Sequence, residues 1–161
     1  MNRVLALLLL VSPMLAATAS EQSTCTTTNK GAYLTGTVTS APKFASGSYI
    51  DGVETSHTHV NLKADQDGKT YDVAMDNVYA VDYVKNSSSV PASLGAIKVG
   101  SRLELCGEKY TSGTTGIHWV HSNCGATPTS TAPNGWVKQI SSSGSIGANL
   151  ERSQNYCYLW N

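Results

Sequence analysis

The sequence lacks any run of lysine and arginine, and its 161 residues carry eleven basic and eleven acidic side chains. Nonspecific binding to nucleic acid or to an anionic membrane surface needs a basic excess, so the composition disfavours both partners. The sequence also lacks a Gly-x-Ser-x-Gly elbow and a Cys-x-x-Cys pair. These absences disfavour a serine hydrolase and a four-cysteine zinc site, so an enzyme is less expected than a binding protein.

Long apolar runs are missing as well, apart from one near the start. Val4 to Val11 is apolar, follows Arg3 and precedes the small residues Ala17-Thr18-Ala19. This order predicts a signal peptide over residues 1–19 and therefore a secreted or periplasmic protein. The run is shorter than the roughly 20 residues of a membrane-spanning helix, so no membrane span is expected.

The rest of the chain has the length of one domain, which we expect to be a monomer. We expect a polar, extended lead-in over residues 20–31, because serine and threonine dominate it. A β-barrel domain is predicted over residues 32–140. A C-terminal extension over residues 141–161 is predicted to dock through Cys157, because its end is aromatic and β-prone.

All four cysteines follow the predicted signal peptide, and an even number in an exported chain predicts two disulfide bonds. We expect Cys106–Cys124 to close a hairpin and Cys25–Cys157 to join the two loose ends. Simple strand register places Cys106 nearer to His121 than to Cys124, so the first bond requires a bulge, for which Gly107 is the candidate. The crossed pairing stays open as an alternative.

Short alternating segments predict the fold class. In residues 56–64, Thr58, Val60 and Leu62 fall on one strand face, while His57 and the other polar residues fall on the opposite face. Five or six such segments, separated by turn-forming residues, predict an all-β protein. The layout favours a small OB-like antiparallel barrel of five to six strands with long loops and disulfide bonds, and a β-sandwich is the alternative.

Histidines are the candidates for chemistry near neutral pH. His57 and His59 lie two residues apart on one strand face, about 7 Å from Cα to Cα, so both rings could reach one metal ion. Strand parity puts His118 on the surface, whereas Trp119 and His121 share the face of Ile117 unless a bulge intervenes. The metal hypothesis therefore consists of His57, His59 and His118 with zinc or copper, and no other cofactor is expected.

A ligand-binding surface is predicted on the outer face of the second and third strands, as in OB-folds. A sugar would need an exposed aromatic ring, which Trp119 or Trp136 could supply, although both are expected to anchor the core. The candidate ligand-binding residues are His57, His59, Asn61, Lys63, Asp72, His118 and Trp136.

Three motifs resemble a small family of exported bacterial proteins known as domain of unknown function 3465. They are Val99-Gly100, Gly116-Ile-His-Trp-Val-His121 and Gly135-Trp-Val-Lys138. Val120 replaces the threonine usual in the family. The resemblance covers roughly residues 35–138 and implies an OB-like fold, but no activity.

Three functional hypotheses remain at this point. The leading one is an exported β-barrel binding module for a polar small molecule, a saccharide or a protein partner, with no catalytic residues. The second is a metal-dependent hydrolase or nuclease that uses the histidines. The third is a structural or antigenic protein of the cell envelope.

Overall fold

The computed structural model describes residues 19–160, so the predicted signal peptide lies outside the described residues except for Ala19. The described residues form mostly β-strands joined by loops and short helical turns. The strands are β1 (Ala32–Val38), β2 (Lys43–Ala45), β3 (Tyr49–Ile50), β4 (Val53–Glu54), β5 (His57–Ala64), β6 (Thr70–Asp76), β7 (Arg102–Lys109), β8 (Gly116–His118) and β9 (Trp136–Ile140). The helical turns are a π-helix at Thr24–Thr28, 3-10 helices at Asn77–Tyr79 and Cys157–Trp160, and the α-helix α1 at Ala92–Gly95.

Five strands close into a barrel in the order β1, β5, β6, β8, β7, with β7 pairing back onto β1. β9 extends the sheet beside β7, and β2 pairs with β5. The predicted small all-β barrel is confirmed. The prediction of a purely antiparallel barrel was wrong in one respect, because β6 and β8 pair in parallel. The connection from β6 to β8 spans residues 77–115 and includes β7, so it is long enough for the crossover that a parallel pair requires.

The barrel interior follows the predicted alternation. Val60, Leu62, Leu103 and Leu105 are at most 1% exposed, as expected for side chains on the inner face of β5 and β7. Burial of each such side chain contributes about 1.5–3 kcal/mol, so this interior is the main source of stability. On the opposite face of β5 lie His57, His59, Asn61 and Lys63, of which Asn61 and Lys63 are exposed.

The N-terminal lead-in is helical, and the prediction of an extended segment was wrong. Residues 19–23 are α-helical and continue into the π-helix Thr24–Thr28. The hydroxyls of Thr24 and Thr26 donate hydrogen bonds to the backbone oxygens four residues earlier. A threonine-rich segment can therefore be helical when its hydroxyls bond back to the preceding turn.

This lead-in covers the outer side of β7, which changes the environment of Glu104. Glu104 alternates with the inward Leu103 and Leu105 and so lies on the outer face of β7, yet it is completely buried. Its carboxylate accepts hydrogen bonds from the Tyr33 hydroxyl and the Trp136 Nε1, both at 3.1 Å. Strand alternation thus places Glu104 on the outer face of the barrel, but a second layer of residues covers that face.

The disulfide bonds are Cys25–Cys106 and Cys124–Cys157, so the predicted pairs Cys106–Cys124 and Cys25–Cys157 were wrong. Cys106 lies opposite Tyr33 of β1, and the lead-in just before β1 therefore brings Cys25 beside it. β8 ends at His118, so the chain has left the hairpin before it reaches Cys124. Cys124 instead meets the C-terminal segment at Cys157.

Candidate functional site

The predicted outer face of β5 and β6 forms a hydrogen-bonded surface network. His59 Nδ1 lies 3.0 Å from both carboxylate oxygens of Asp72, and the Tyr110 hydroxyl donates to Asp72 at 2.9 Å. Asn61 is the cross-strand partner of Asp72, and Lys63 lies further along the same face. The structure thus brings His59 and Asp72 together, but their polar groups already satisfy one another.

His57, at the start of β5, belongs to a different surface. Its cross-strand partner is Asp76, the last residue of β6. Both side chains line a cavity of about 180 Å³, which we call the histidine pocket. Its lining residues are His57, Ala74, Asp76, Tyr79, His118, Trp119, His121 and Trp160.

The change of chain direction at Trp119 brings His118 and His121 to the same pocket. Trp119 has a φ of +53°, in the left-handed region that a bulky residue rarely adopts. The extended alternation predicted for residues 117–121 therefore stops at His118. His118 is partly exposed and His121 is buried, as expected, yet both side chains line the histidine pocket. Backbone strain of this kind costs on the order of 1–3 kcal/mol and is concentrated at functional sites.

Gly135 holds this distorted segment against the barrel. Its amide donates to the His121 backbone oxygen at 2.8 Å. A Cβ atom at Gly135 would lie 2.4 Å from the Trp119 backbone oxygen and 2.5 Å from that of Cys106. Only glycine permits this approach, which explains why a glycine precedes Trp136 in the sequence.

His121 is only 4% exposed and stacks on Tyr79, with ring centroids 3.7 Å apart and planes 10° from parallel. Burial lowers the pKa of His121 to about 4, with the neighbouring His57 and His118 adding to the effect. The pKa of His57 is lowered for the same reason, chiefly by burial. At neutral pH these two rings are therefore uncharged and act as aromatic and hydrogen-bonding surfaces.

A larger cavity of about 470 Å³ adjoins the histidine pocket, because both share Tyr79, Trp119 and Trp160 as walls. We call it the aromatic cleft. The ring centroids of Tyr79 and Trp160 are 5.3 Å apart, and Trp160 is 43% exposed. Its lining residues are Tyr79, Trp119, Asn123, Cys124, Gly125, Ala126, Ala132, Cys157 and Trp160. The disulfide Cys124–Cys157 therefore joins two of the segments that line the cleft.

Two acidic side chains lie at the end of β6 without a cationic neighbour. Glu151 is completely buried, and its Oε2 accepts a hydrogen bond from the Asp76 amide at 3.2 Å. Burial raises the pKa of Asp76 to about 7, and burial together with the Asp76 charge raises the pKa of Glu151. Within residues 19–160, neither carboxyl forms an ion pair with a lysine, arginine or histidine.

The predicted metal set is not assembled. His59 turns toward Asp72, and His118 Nε2 lies 3.2 Å from the Glu108 carboxylate. Across the described part of the chain, no three histidine, cysteine, aspartate or glutamate side chains are placed to hold one metal ion. His57 and His118 share the histidine pocket, but His59 and His118 each lie against a different carboxylate, and the geometry gives no support to a zinc or copper site.

Trp136 does not belong to a ligand surface, contrary to its place among the candidate binding residues. It is 5% exposed, and Lys138 Nζ lies 4.3 Å from its ring centroid. It packs with Tyr33 and the Cys25–Cys106 disulfide. Its expected role as a core anchor is the one that the structure supports.

Sequence reasoning missed Asp76, Tyr79, Glu151 and Trp160. Asp76 ends a strand whose preceding residues are apolar, and that position in the sequence is the signal that marks it as a strand-end acid. Trp160 lies in an aromatic tail whose docking was expected, but its position beside Tyr79 depends on the Cys124–Cys157 bond. Nothing in the local sequence indicates that Glu151 is buried.

No family model, curated protein or solved structure matches this chain. The resemblance to the domain of unknown function 3465 family therefore stays a prediction. In the described residues, no helix is long and apolar enough to cross a membrane.

Proposed function

We propose that this protein is an exported binding module that takes a small polar ligand into the aromatic cleft. The observation that carries the proposal is the wall of Tyr79, Trp119 and Trp160 shared by two adjoining cavities. Ligand pockets have volumes of roughly 300–1,000 Å³, are lined by aromatic side chains and contain a few converging polar groups. The cleft and the histidine pocket together have this composition.

The chemistry of the walls supports a ligand with both apolar and polar faces. Trp119 and Trp160 offer flat apolar surfaces on which a sugar ring or another compact ligand can stack. His57, Asp76 and His118 lie at one end and supply hydrogen-bonding groups. Export is supported by the apolar N-terminal run and by two disulfide bonds, which persist in oxidising compartments.

The other two hypotheses have less support. A metal-dependent hydrolase needs a converging set of ligands, and the histidines face separate carboxylates. A purely structural envelope protein has no need for an open aromatic cleft beside a strained tryptophan. We therefore infer that ligand binding, and not catalysis, is the role of the shared aromatic wall.

Replacing Trp160 with alanine tests this proposal. Saccharides and small polar compounds would be screened by tryptophan fluorescence, and each hit titrated by calorimetry. We expect Trp160→Ala to weaken binding about tenfold or more, because a buried aromatic contact is among the strongest single contributions to affinity. The fold should persist, since Trp160 is partly exposed.

Tyr158→Ala is the matched control. Tyr158 lies in the same 3-10 turn, is 54% exposed and lines neither cavity. We expect this variant to bind as the original protein does. Equal losses in both variants, or a screen in which no compound binds, would contradict the proposal.

A further inference from the structure

The walls of the histidine pocket are suited to a positive charge. Tyr79, Trp119 and Trp160 line it, and the tryptophans are the rings that a ligand can reach best, because Tyr79 is stacked on both His121 and Trp160. The faces of aromatic rings carry a negative partial charge that attracts cations within about 6 Å. Tryptophan is the strongest such partner, and two of the three walls are tryptophans.

Asp76 adds an acidic group to this pocket, and Glu151 lies directly behind it. No donor within residues 19–160 contacts Glu151 Oε1, which is buried. A buried acid without a counter-charge takes up a proton instead of staying charged, and burial accordingly raises the pKa of Glu151, whereas a cation bound nearby would favour the charged form. The pocket thus has acidic groups and no resident cation.

The neighbouring titratable groups do not provide that cation. His57 of β5 and His121 of the segment after β8 line the pocket with Asp76 as neutral rings at pH 7, because burial lowers the pKa of each. His118 is directed to Glu108, and Tyr79 is a neutral phenol. Glu151, in the C-terminal segment, is held toward its neutral, protonated form by burial, which raises its pKa. Among the described residues, none of these groups forms an ion pair with Asp76, so a bound cation would be the first to do so.

We propose that the histidine pocket binds the charged head of an organic cation of the substituted ammonium class, with the rest of the molecule in the aromatic cleft. This inference rests on the proposed function, because it names the ligand class of the same site. A metal ion fits less well, since it needs three converging ligands. An alkylated ammonium needs no such ligands and loses little hydration when it enters an aromatic cage.

The test compares two probes of the same shape. Choline carries a trimethylammonium group, and 3,3-dimethylbutan-1-ol replaces its nitrogen with carbon and so removes the charge. Both would be titrated into the full chain by calorimetry. We expect choline to bind at least about tenfold more tightly than the alcohol, as for a desolvated cation–π site.

The variant Asp76→Asn tests the contribution of the acid to binding separately from that of the aromatic rings. It should weaken choline binding about tenfold and leave the alcohol unchanged, because the amide keeps the shape but not the charge. Asp51→Asn is the control, since Asp51 is an exposed acid in the β3–β4 turn that lines neither cavity. Circular dichroism confirms that each variant is folded, and Trp160→Ala serves as the second variant that should weaken choline binding.

The outcomes are distinguishable. Equal binding of choline and the alcohol, or unchanged choline binding in Asp76→Asn, would overturn the cation inference. If neither probe binds while a saccharide or another neutral compound does, the ligand class is wrong and the binding function stands. If nothing binds at all, both proposals fail.

Discussion

Replacing Asp76 with asparagine is expected to stabilise the protein at pH 8 by up to about 4 kcal/mol, the value of roughly three pKa units. Burial raises the pKa of Asp76 to about 7 in the folded state, whereas the carboxyl has its ordinary pKa of 3.8 when the chain is unfolded. Ionising this group in the folded protein is thus unfavourable. Asparagine fills the same space and has no charge to bury.

The stability difference between Asp76→Asn and the original protein should depend on pH. Below about pH 4 the carboxyl is protonated in both states, so the variant and the original protein should have similar stability. Between pH 4 and pH 7 the unfolded chain releases the proton and the folded protein keeps it, so the original protein loses stability as pH rises. Above pH 7 the difference levels off. Urea denaturation at pH 4, 6 and 8 measures it.

Asp51→Asn again serves as the control, because this exposed acid should change stability little at any pH. A destabilised Asp76→Asn protein at pH 8 would show that the Asp76 charge is compensated in the fold. If the variant is more stable but binds choline less well, the acid contributes to binding at a cost to stability. Such a trade-off between stability and function is common at binding sites.

Replacing Gly135 with alanine is expected to destabilise the protein by about 3 kcal/mol, the upper end of the usual cost of overpacking. The new methyl group would contact backbone oxygens of both Trp119 and Cys106 at 2.5 Å or less, and backbone atoms cannot rotate away as side chains do. The segment from Trp119 to His121 would have to move. We therefore expect ligand binding to weaken together with stability.

Gly95→Ala is the matched control for this substitution. Gly95 ends α1 with ordinary backbone angles, and a Cβ atom there would lie 3.7 Å from Val90. Alanine at such a position changes stability by less than about 1 kcal/mol and often increases it. Thermal denaturation of the two variants would decide the matter, and a Gly135→Ala protein as stable as Gly95→Ala would refute the role given to this glycine.

The barrel was predictable from the sequence because its strands alternate regularly. Val60, Leu62, Leu103 and Leu105 read as inward positions and are buried, since local pattern and tertiary packing agree there. The parallel β6–β8 pair was not predictable, because it depends on where a long connection places β8. Local alternation indicates the face of a residue but does not identify the neighbouring strand.

The site was only partly predictable. Strand alternation indicated that His118 is exposed and His121 is buried, but it could not indicate that both line one pocket, because Trp119 leaves the extended conformation. The disulfide pairs were mispredicted because the lead-in packs beside β1 and brings Cys25 to Cys106. Glu104 and Glu151 are buried by segments distant in sequence, so no local pattern marks them.

The most direct test of the account follows the three tryptophan side chains by NMR while a ligand is added. The indole N–H resonances of Trp119 and Trp160 should shift along a saturating curve, because both rings line the aromatic cleft. The Trp136 resonance should stay in place, because that indole is buried against Glu104 in the N-terminal layer. Saturable binding that moves only Trp136, or none of the three, would contradict the assignment of the cleft as the binding site.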